Sequence, residues 1–171
     1  MTKIEIRAIG VVRADDEKGY YALEIAEPYR EGLVGLSEFG KMHVLWWAHG
    51  IDERGDGPTR STLVCELPYA KGTKVGVFAC RAEYRPNPVD MTICGIMAIR
   101  EKEGLVVLDY IDAIDGTPVV DLKPYIPVCD RARDSKVPAW FRSWPEWIED
   151  SAAFFAQADA PYRMLPSDLN R

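Results

Sequence analysis

A stiff, charged loop between two apolar segments is the first feature of this sequence that could do chemistry. The run CRAEYRPNPVDMT (residues 80–92) holds two arginines, two prolines, an asparagine and two carboxylates. Arg85 and Asn87 each precede a proline, which restricts both to extended conformations, and the prolines fix their own φ. The loop therefore presents both side chains at low entropic cost. Residue types alone leave two roles open, a binding loop and a structural clip in which an arginine pairs with a nearby acid.

A second polar cluster, DAIDGTP (residues 112–118), comes at the end of a later apolar segment. Its acids and glycine suit a tight turn closed by an Asx-type hydrogen bond. Such a turn can also expose backbone N–H and C=O groups that hold a ligand. The two clusters together are the candidate site.

The two histidines are not expected to form a metal site. Six residues at a rise of ~3.3 Å put His43 and His49 roughly 20 Å apart on one strand. We interpret His43 as a half-buried strand residue, whereas His49 ends the strand before Gly50, where a pocket role and a structural role both stay open. The four cysteines include no CxxC pair, which predicts reduced thiols and no structural zinc.

Seven segments that alternate at period two, or form short apolar runs bounded by turn residues, predict strands. They cover residues 4–13, 21–26, 43–49, 62–67, 75–80, 89–99 and 105–114. Strands at this spacing are typical of an antiparallel sandwich or barrel. The adjacent Trp46 and Trp47 should point to opposite faces. The sequence lacks the strand–helix alternation and the GxGxxG motif of a parallel dinucleotide-binding sheet.

One helix is predicted near the C-terminus, where Ser143 and Glu146 form a potential capping box around Pro145. Three tryptophans fall between residues 140 and 147. We interpret them as a packing or dimer contact rather than a base-stacking platform, with a lid over a small molecule as the alternative. The tail from Ala160 is predicted to be a loose arm.

Charge and hydropathy limit the function further. The chain has 171 residues and a formal net charge of −6, from 27 acids against 21 lysines and arginines. This excess of negative charge argues against nonspecific binding to nucleic acid, but it allows one local basic patch on the surface. We find no apolar leader and no run long enough to span a bilayer, so we expect a cytoplasmic protein without a membrane partner.

Both polar clusters resemble the signatures of a known family, the TsaA-like, or TrmO, proteins. GVFACRAEYRPNPVDMT is similar to that family's GVFATR…RPNPIGLS, and DAIDGTPVVDLKPYIP resembles its DLVDGTPVLDIKPYIP. The resemblance covers most of residues 4–130. It implies a mainly β fold, a small antiparallel β-barrel over residues 1–130, with a helical extension and tail over 131–171. It also implies a homodimer that binds S-adenosylmethionine and methylates N6 of threonylcarbamoyladenosine beside the tRNA anticodon.

The resemblance also implies a cofactor site. Its positions fall on His49, Gly50, Arg81, Met91, Asp112, Ala113, Ile114 and Asp115. An acid and exposed backbone groups can hold the polar parts of S-adenosylmethionine, while Met91 and an aromatic strand cover the adenine. Methyl transfer is an in-line displacement in which positioning supplies much of the rate. No metal is implied, and no catalytic base is identified.

The methyl acceptor is less well defined, and tRNA ranks only slightly above a small molecule. A further alternative is a module that binds S-adenosylmethionine without catalysing methyl transfer. The candidate substrate contacts are Arg85, Asn87, Lys123 and Tyr125, with Arg131 and Arg133 as further cations. The sequence also departs from the family pattern. Asp90 stands in place of a glycine, Ala82 in place of a serine, and a proline-arginine-glutamine segment after the first strand is not found. A carboxylate at Asp90 would repel an RNA phosphate.

Overall fold

A closed six-stranded antiparallel barrel forms the centre of the protein in the computed structural model, which describes residues 3–52 and 58–157. The described strands are β1 (Gly10–Asp15), β2 (Tyr20–Ile25), β3 (Lys41–Trp47), β4 (Val64–Glu66), β5 (Lys74–Gly76), β6 (Val89–Arg100), β7 (Leu105–Leu108) and β8 (Pro118–Pro124). Around the barrel their order is β1-β2-β7-β6-β3-β8, while β4 and β5 form a separate hairpin. Closure leaves the barrel sheet without an exposed edge. The predicted mainly β barrel is confirmed.

Short helices connect and flank these strands. The 3₁₀ helices of the described chain are Glu27–Leu33, Leu36–Glu38, His49–Asp52, Val77–Ala79, Glu101–Glu103, Ala139–Phe141 and Ile148–Asp150, and the α-helices are α1 (Pro127–Asp130) and α2 (Ser151–Phe155). Within the described ranges, no helix has the length and apolar character needed to cross a membrane.

The strand predictions were wrong at three places in the barrel. The strand predicted over residues 105–114 ends at Leu108, the last of these residues to pair with β2 and β6. The first strand begins at Gly10 rather than at residue 4, because backbone pairing with β2 and β8 starts there. Strand β8, which closes the barrel between β1 and β3, was not predicted. Its second half contains Asp121, Lys123 and Pro124, so the hydrophobic alternation breaks off, and only pairing with β3 makes this half a strand.

The predicted C-terminal helix is present but shorter, and its capping box was wrong. The helical segment begins at Ile148 with a 3₁₀ turn and continues as α2, and neither part has a side-chain hydrogen bond at its N-cap. Residues 142–147 are turns and bends. The reason is that Trp144 packs into an aromatic cluster with Tyr69, Phe141 and Phe155, at ring distances of 5.3, 4.9 and 5.0 Å. These contacts orient the segment by packing, which agrees with the packing interpretation of this tryptophan.

Alternate residues of the strands fill the barrel. Seven of them are less than 1% exposed: Val12, Leu23, Met42, Val44, Cys94, Val106 and Val119. Trp46 joins them, and its Nε1 donates a hydrogen bond of 3.0 Å to Thr92 Oγ1. Trp47 points the other way and lies against the Arg60 guanidinium, 5.0 Å from its ring centre. The prediction that the two tryptophans face opposite sides is therefore confirmed.

Strand register defines two ends of the barrel. At one, here called the signature end, Trp46 pairs with both Asp90 and Val119, and Trp47 pairs with Val89. At the other, called the opposite end, Lys41 pairs with Gly95, and Met42 pairs with Pro124. Six residues of β3 separate the two levels, which is roughly 20 Å.

Candidate functional site

The two polar clusters meet at the signature end. Strand β6 begins immediately after the loop of residues 80–88, and Ala48 N donates a 2.9 Å hydrogen bond to Pro88 O, which joins that loop to the end of β3. The turn of residues 112–117 leads directly into β8, which pairs with β3 at the same level. His49 and Gly50 follow β3 and are half-buried. The predicted cofactor residues therefore lie next to the end of β3 and the beginnings of β6 and β8, which are adjacent in the barrel.

Arg85 holds the shape of the first loop. Its Nε donates to Ala82 O at 2.9 Å, and its Nη2 donates to Val77 O at 2.9 Å and to Cys80 O. The Val77 carbonyl belongs to the segment before the loop, and the Cys80 and Ala82 carbonyls lie at the start of the loop. Arg85 therefore acts as a structural clip, one of the two roles left open by the sequence, although its hydrogen-bond partners are carbonyls rather than an acid.

The clip leaves other side chains of this end free to meet a ligand. Arg81, Asn87 and Met91 are exposed, whereas Pro88 is buried beneath the loop. Met91 is 41% exposed and Ile114, in the second cluster, is 42% exposed. Apolar surface and a cation are thus available at the signature end, as an adenine ring and a carboxylate would require.

The second cluster is tied to β1 rather than closed on itself. Asp115 Oδ1 accepts a hydrogen bond of 3.1 Å from Ala14 N, and Gly116 N donates to Val12 O at 2.9 Å. The turn itself closes through Thr117 N and Ile114 O at 3.2 Å. The predicted Asx-type bond is therefore replaced by a backbone bond, and the Asp115 carboxylate anchors the cluster to the barrel.

Three carboxyl groups share the signature end, and Asp90 is the most perturbed of the group. The pKa of Asp90 is raised to about 6, mainly by burial; the Glu83 and Asp112 charges also raise it, while the Arg85 and Arg81 cations lower it. Burial also raises the pKa of Asp112, whose Oδ1 lies 3.4 Å from the Tyr110 hydroxyl. Acids that are partly removed from water attract a cation and can take up a proton near neutral pH.

Sequence reasoning missed Tyr110 as part of this end, and it gave Glu83 no site role although Glu83 lies in the first polar cluster. Tyr110 stands two residues before Asp112, and its hydroxyl lies 3.4 Å from Asp112 Oδ1. The strand predicted over residues 105–114 would have put both side chains on one face, so the sequence offered a signal for this pair. Its ring packs edge-on against Tyr21 at 5.5 Å, and burial raises its pKa. Glu83 lies in the first loop, and its charge contributes to the raised pKa of both Asp90 and Asp112.

Two predicted substrate residues lie at the opposite end. Lys123 pairs with His43 on the neighbouring strand, and its Nζ lies 2.7 Å from Asp121 Oδ2. Tyr125 N donates to Lys41 O at 3.0 Å, and its ring lies 5.6 Å from that of His43. Within one chain, the structure does not bring Lys123 and Tyr125 together with Arg85 and Asn87.

His43 is buried rather than half-buried, and it helps to close the opposite end. It is 8% exposed, and its Nε2 lies 3.1 Å from Asp130 Oδ1. Asp130 Oδ2 in turn accepts a hydrogen bond of 2.7 Å from Ile126 N. These contacts fasten α1 to the barrel, which agrees with the structural role inferred for His43. No group of three or more potential metal ligands occurs in the described parts of the chain.

Two cysteines meet where the β4–β5 hairpin approaches the first loop. Cys65 Sγ and Cys80 Sγ are 3.6 Å apart, and both thiols are free and partly exposed. We expect oxidised glutathione to convert this pair into an intramolecular disulfide by thiol–disulfide exchange, with release of two reduced glutathione molecules. Burial raises the pKa of the Cys80 thiol, so the reaction should be faster at pH 9 than at pH 7. Peptide mapping by mass spectrometry would identify the linked peptides.

A matched substitution tests this cysteine prediction. Cys80→Ser should abolish the linked peptides, whereas Cys129→Ser, which changes an exposed thiol elsewhere, should leave them unchanged. Failure of wild-type protein to form the Cys65–Cys80 link under these conditions would contradict the prediction.

Comparison with known proteins gives consistent matches over the barrel and beyond. The family model described as the tRNA-methyltransferase O N-terminal domain matches residues 13–131. A tRNA (adenine(37)-N6)-methyltransferase of Escherichia coli is 28% identical over 176 residues, covering 93% of this chain and 72% of that protein. A probable S-adenosyl-L-methionine-binding protein of Archaeoglobus fulgidus is 29% identical over 154 residues, covering 82% of this chain.

A solved structure agrees with these sequence matches. The crystal structure of TrmO from P. aeruginosa superimposes with a TM-score of 0.61 at 25% identity, over 81% of this chain. The chain spans 62% of that crystallised chain and 39% of the Archaeoglobus relative. The sequence therefore corresponds to part of these relatives rather than to their full length.

Proposed function

The chain belongs to the family defined by the tRNA-methyltransferase O N-terminal domain, and from this premise we propose that it is an S-adenosylmethionine-dependent methyltransferase. Its most favoured acceptor is N6 of threonylcarbamoyladenosine next to the tRNA anticodon. The E. coli relative is named for methylation of adenine 37 at N6, and the Archaeoglobus relative for binding S-adenosylmethionine.

The observation that carries this proposal is the meeting of both polar clusters at one end of a closed barrel. Ligand sites commonly form at the mouths of barrels, where loops from several strands converge. The residues present there suit the cofactor. Arg81 matches its carboxylate, the exposed Met91 and Ile114 match its adenine, and the carboxyl group of Asp112 matches its sulfonium cation.

We further propose that the chain acts as a cytoplasmic homodimer, with residues 1–130 as the cofactor-binding domain and residues 131–171 as an appended segment. Lys123 and Tyr125 lie at the opposite end, so within one subunit they are distant from the first loop. A symmetric dimer can place the opposite end of one subunit near the signature end of its partner. This arrangement would reconcile both residues with a role in acceptor binding.

A small-molecule acceptor is the second candidate. Asp90 adds a carboxylate at the signature end, and the described chain is acidic at this end, with Asp112 and Glu83 nearby. These charges would repel an RNA phosphate. Salt dependence of tRNA binding separates the two candidates, because phosphate contacts weaken steeply with added salt whereas binding of a small neutral acceptor does not.

Calorimetric titration with S-adenosylmethionine tests the cofactor assignment. We expect saturable binding to the wild type and an affinity about 10-fold lower in Arg81→Ala, equivalent to about 1.4 kcal/mol. Arg81 is exposed, so its loss should leave the melting temperature of the free protein nearly unchanged.

Arg100→Ala is the matched control for Arg81→Ala. Arg100 is also exposed; it is the last residue of β6, far from the signature end, and its Nη1 lies 3.3 Å from Glu103 Oε2. Its removal should change neither affinity nor stability appreciably. Absence of binding by the wild type at millimolar cofactor would refute the proposed function, and equal affinities of the wild type and Arg81→Ala would refute the role of Arg81.

A further inference from the structure

Asp90 occupies an unusual position for an acidic residue. It is the second residue of β6 and pairs with Trp46 of β3. It comes two residues before the buried Thr92. Since alternate residues of a strand share a face, Asp90 points to the same side as Thr92 and Cys94, which line the barrel interior. Its carboxylate is therefore directed into the barrel mouth at the signature end.

One oxygen of this carboxylate is buried without a partner. Asp90 Oδ2 has essentially no solvent contact, and no hydrogen bond to it is found within residues 3–52 and 58–157. A buried carboxylate oxygen without a donor is costly, because it has lost its hydration without compensation. Structural acids are normally satisfied, so an orphan oxygen at a candidate active site indicates a group kept ready to accept a hydrogen bond or a proton.

We propose that the Asp90 carboxylate is the general base that accepts the proton lost by the acceptor nitrogen during methylation, an inference that rests on the proposed function. The cofactor, when bound, supplies the methyl group, and its S–C bond breaks with the electron pair remaining on sulfur as the N–C bond forms. Asp90 takes the N–H proton and becomes a neutral carboxylic acid. It then returns the proton to water, which restores the carboxylate for the next turnover.

The other acids of the signature end fit this role less well. The Asp112 carboxylate is near the Tyr110 hydroxyl, 3.4 Å from its Oδ1, and so has a potential donor. Glu83 lies in the first loop rather than in the barrel wall, and it has an interaction partner of its own. Asp90 therefore differs from both: its Oδ2 is buried without a hydrogen-bond donor, and it lies in a strand. A strand fixes the position of a carboxylate more firmly than a loop does.

The charged groups around Asp90 make it a base suited to neutral pH. Burial and the negative charges of Glu83 and Asp112 raise its pKa, whereas the positive charges of Arg85 and Arg81 lower it. The net result is a pKa of about 6. Above pH 6 the group is ionised and able to accept a proton, and its proton affinity exceeds that of an ordinary aspartate. General bases with pKa values near the working pH are the most efficient.

The same shift gives a readout that does not depend on activity. Because the pKa of Asp90 in the folded protein lies above its ordinary value of 3.8, the folded state retains the proton over a range in which the unfolded state has lost it. Ionisation therefore destabilises the fold progressively between about pH 4 and pH 6, and the full cost remains above that range. Asp90→Asn removes this cost, so the melting temperature of the variant should exceed that of the wild type at pH 7.5 and approach it at pH 4.5.

The test compares wild type and Asp90→Asn in three measurements. Methyl transfer is measured with radiolabelled cofactor to tRNA that contains threonylcarbamoyladenosine, from pH 5 to pH 9. The wild-type rate should rise with a midpoint near pH 6, and the variant should be at least ~100-fold slower without that rise. Binding of S-adenosylhomocysteine, which lacks the sulfonium charge, should be unchanged. Melting temperatures at pH 4.5 and 7.5 complete the comparison.

Glu103→Gln is the matched control, because it removes one carboxylate from the exposed turn after β6 without touching the signature end. It should keep wild-type rates and show no pH-dependent gain in stability. An active wild type with an equally active Asp90→Asn overturns the inference alone, as does a variant whose melting temperature shows no pH-dependent gain. A wild type that binds cofactor but methylates no tRNA overturns the tRNA assignment, and the inference falls with it.

Discussion

Arg85→Ala is expected to lower the free energy of unfolding by about 3 kcal/mol and to weaken cofactor binding at the same time. The guanidinium donates to three carbonyl oxygens, those of Ala82, Val77 and Cys80, in a partly buried setting. Truncation leaves these carbonyls without their donors, and hydrogen bonds to charged groups contribute about 1.5–3 kcal/mol each without being additive. Thermal unfolding should show a decrease of roughly 6–12 °C for a chain of this size.

The effect on binding follows from the same contacts. Without the clip, the segment that carries Arg81 loses its fixed conformation, so the cofactor must order it on binding. Titration calorimetry should show a lower affinity with a more unfavourable entropy. A variant with normal stability, normal cofactor affinity and weaker acceptor binding would instead support the direct substrate contact predicted for Arg85.

Arg85→Lys separates geometry from charge. A lysine keeps the positive charge near Asp90, but its ammonium group cannot reproduce the planar fork of donors that reaches three carbonyls. We expect this variant to recover only part of the stability lost in Arg85→Ala. Complete recovery would mean that the charge, rather than the forked hydrogen bonding, stabilises the first loop.

Gly104→Ala should be about as damaging to the fold, with an expected loss of about 3 kcal/mol in the free energy of unfolding. Gly104 has a φ of +71°, and an added Cβ would clash with the Ile25 carbonyl oxygen and lie 2.7 Å from Arg30 Nε. Gly104 O accepts a hydrogen bond of 2.7 Å from Ile25 N. Relief of the clash must therefore disturb the junction of β2 with the turn between β6 and β7. Chemical denaturation of purified protein measures the loss.

Gly35→Ala distinguishes the clash from backbone strain. Gly35 also has a positive φ, +81°, but an added Cβ there meets no atom within 4 Å. This control should cost only the strain of a left-handed alanine, about 1 kcal/mol. Equal losses for the two variants would show that strain alone acts at Gly104, and the steric argument would be wrong.

The sequence by itself determined which segments carry the core and which carry the chemistry. Alternation of apolar residues is a local property, so buried positions such as Val12, Leu23 and Val44 follow from period two. The same alternation puts Trp46 and Trp47 on opposite faces, and the structure shows that Trp46 is the one inside. The two polar clusters were also recognisable, because the prolines of the first and the Asp-Gly of the second restrict the backbone locally.

Only the tertiary structure decided how these segments meet. Strand β8 is half polar, and pairing with β1 and β3 makes it part of the barrel, an interaction between residues far apart in sequence. The same pairing places Lys123 at the opposite end from Asn87, which no local pattern can indicate. Long-range contacts of this kind depend on register and closure.

The roles of individual polar groups were decided in the same way. Arg85 was open to two interpretations from its residue type, and the carbonyls within reach of its guanidinium identify it as a clip. Asp90 was interpreted as an added carboxylate that would repel an RNA phosphate, yet in the fold one of its oxygens is buried and its pKa is raised to about 6. A residue type sets what a side chain can donate or accept, whereas its proton affinity and partners depend on desolvation and neighbouring charges that exist only in the folded chain.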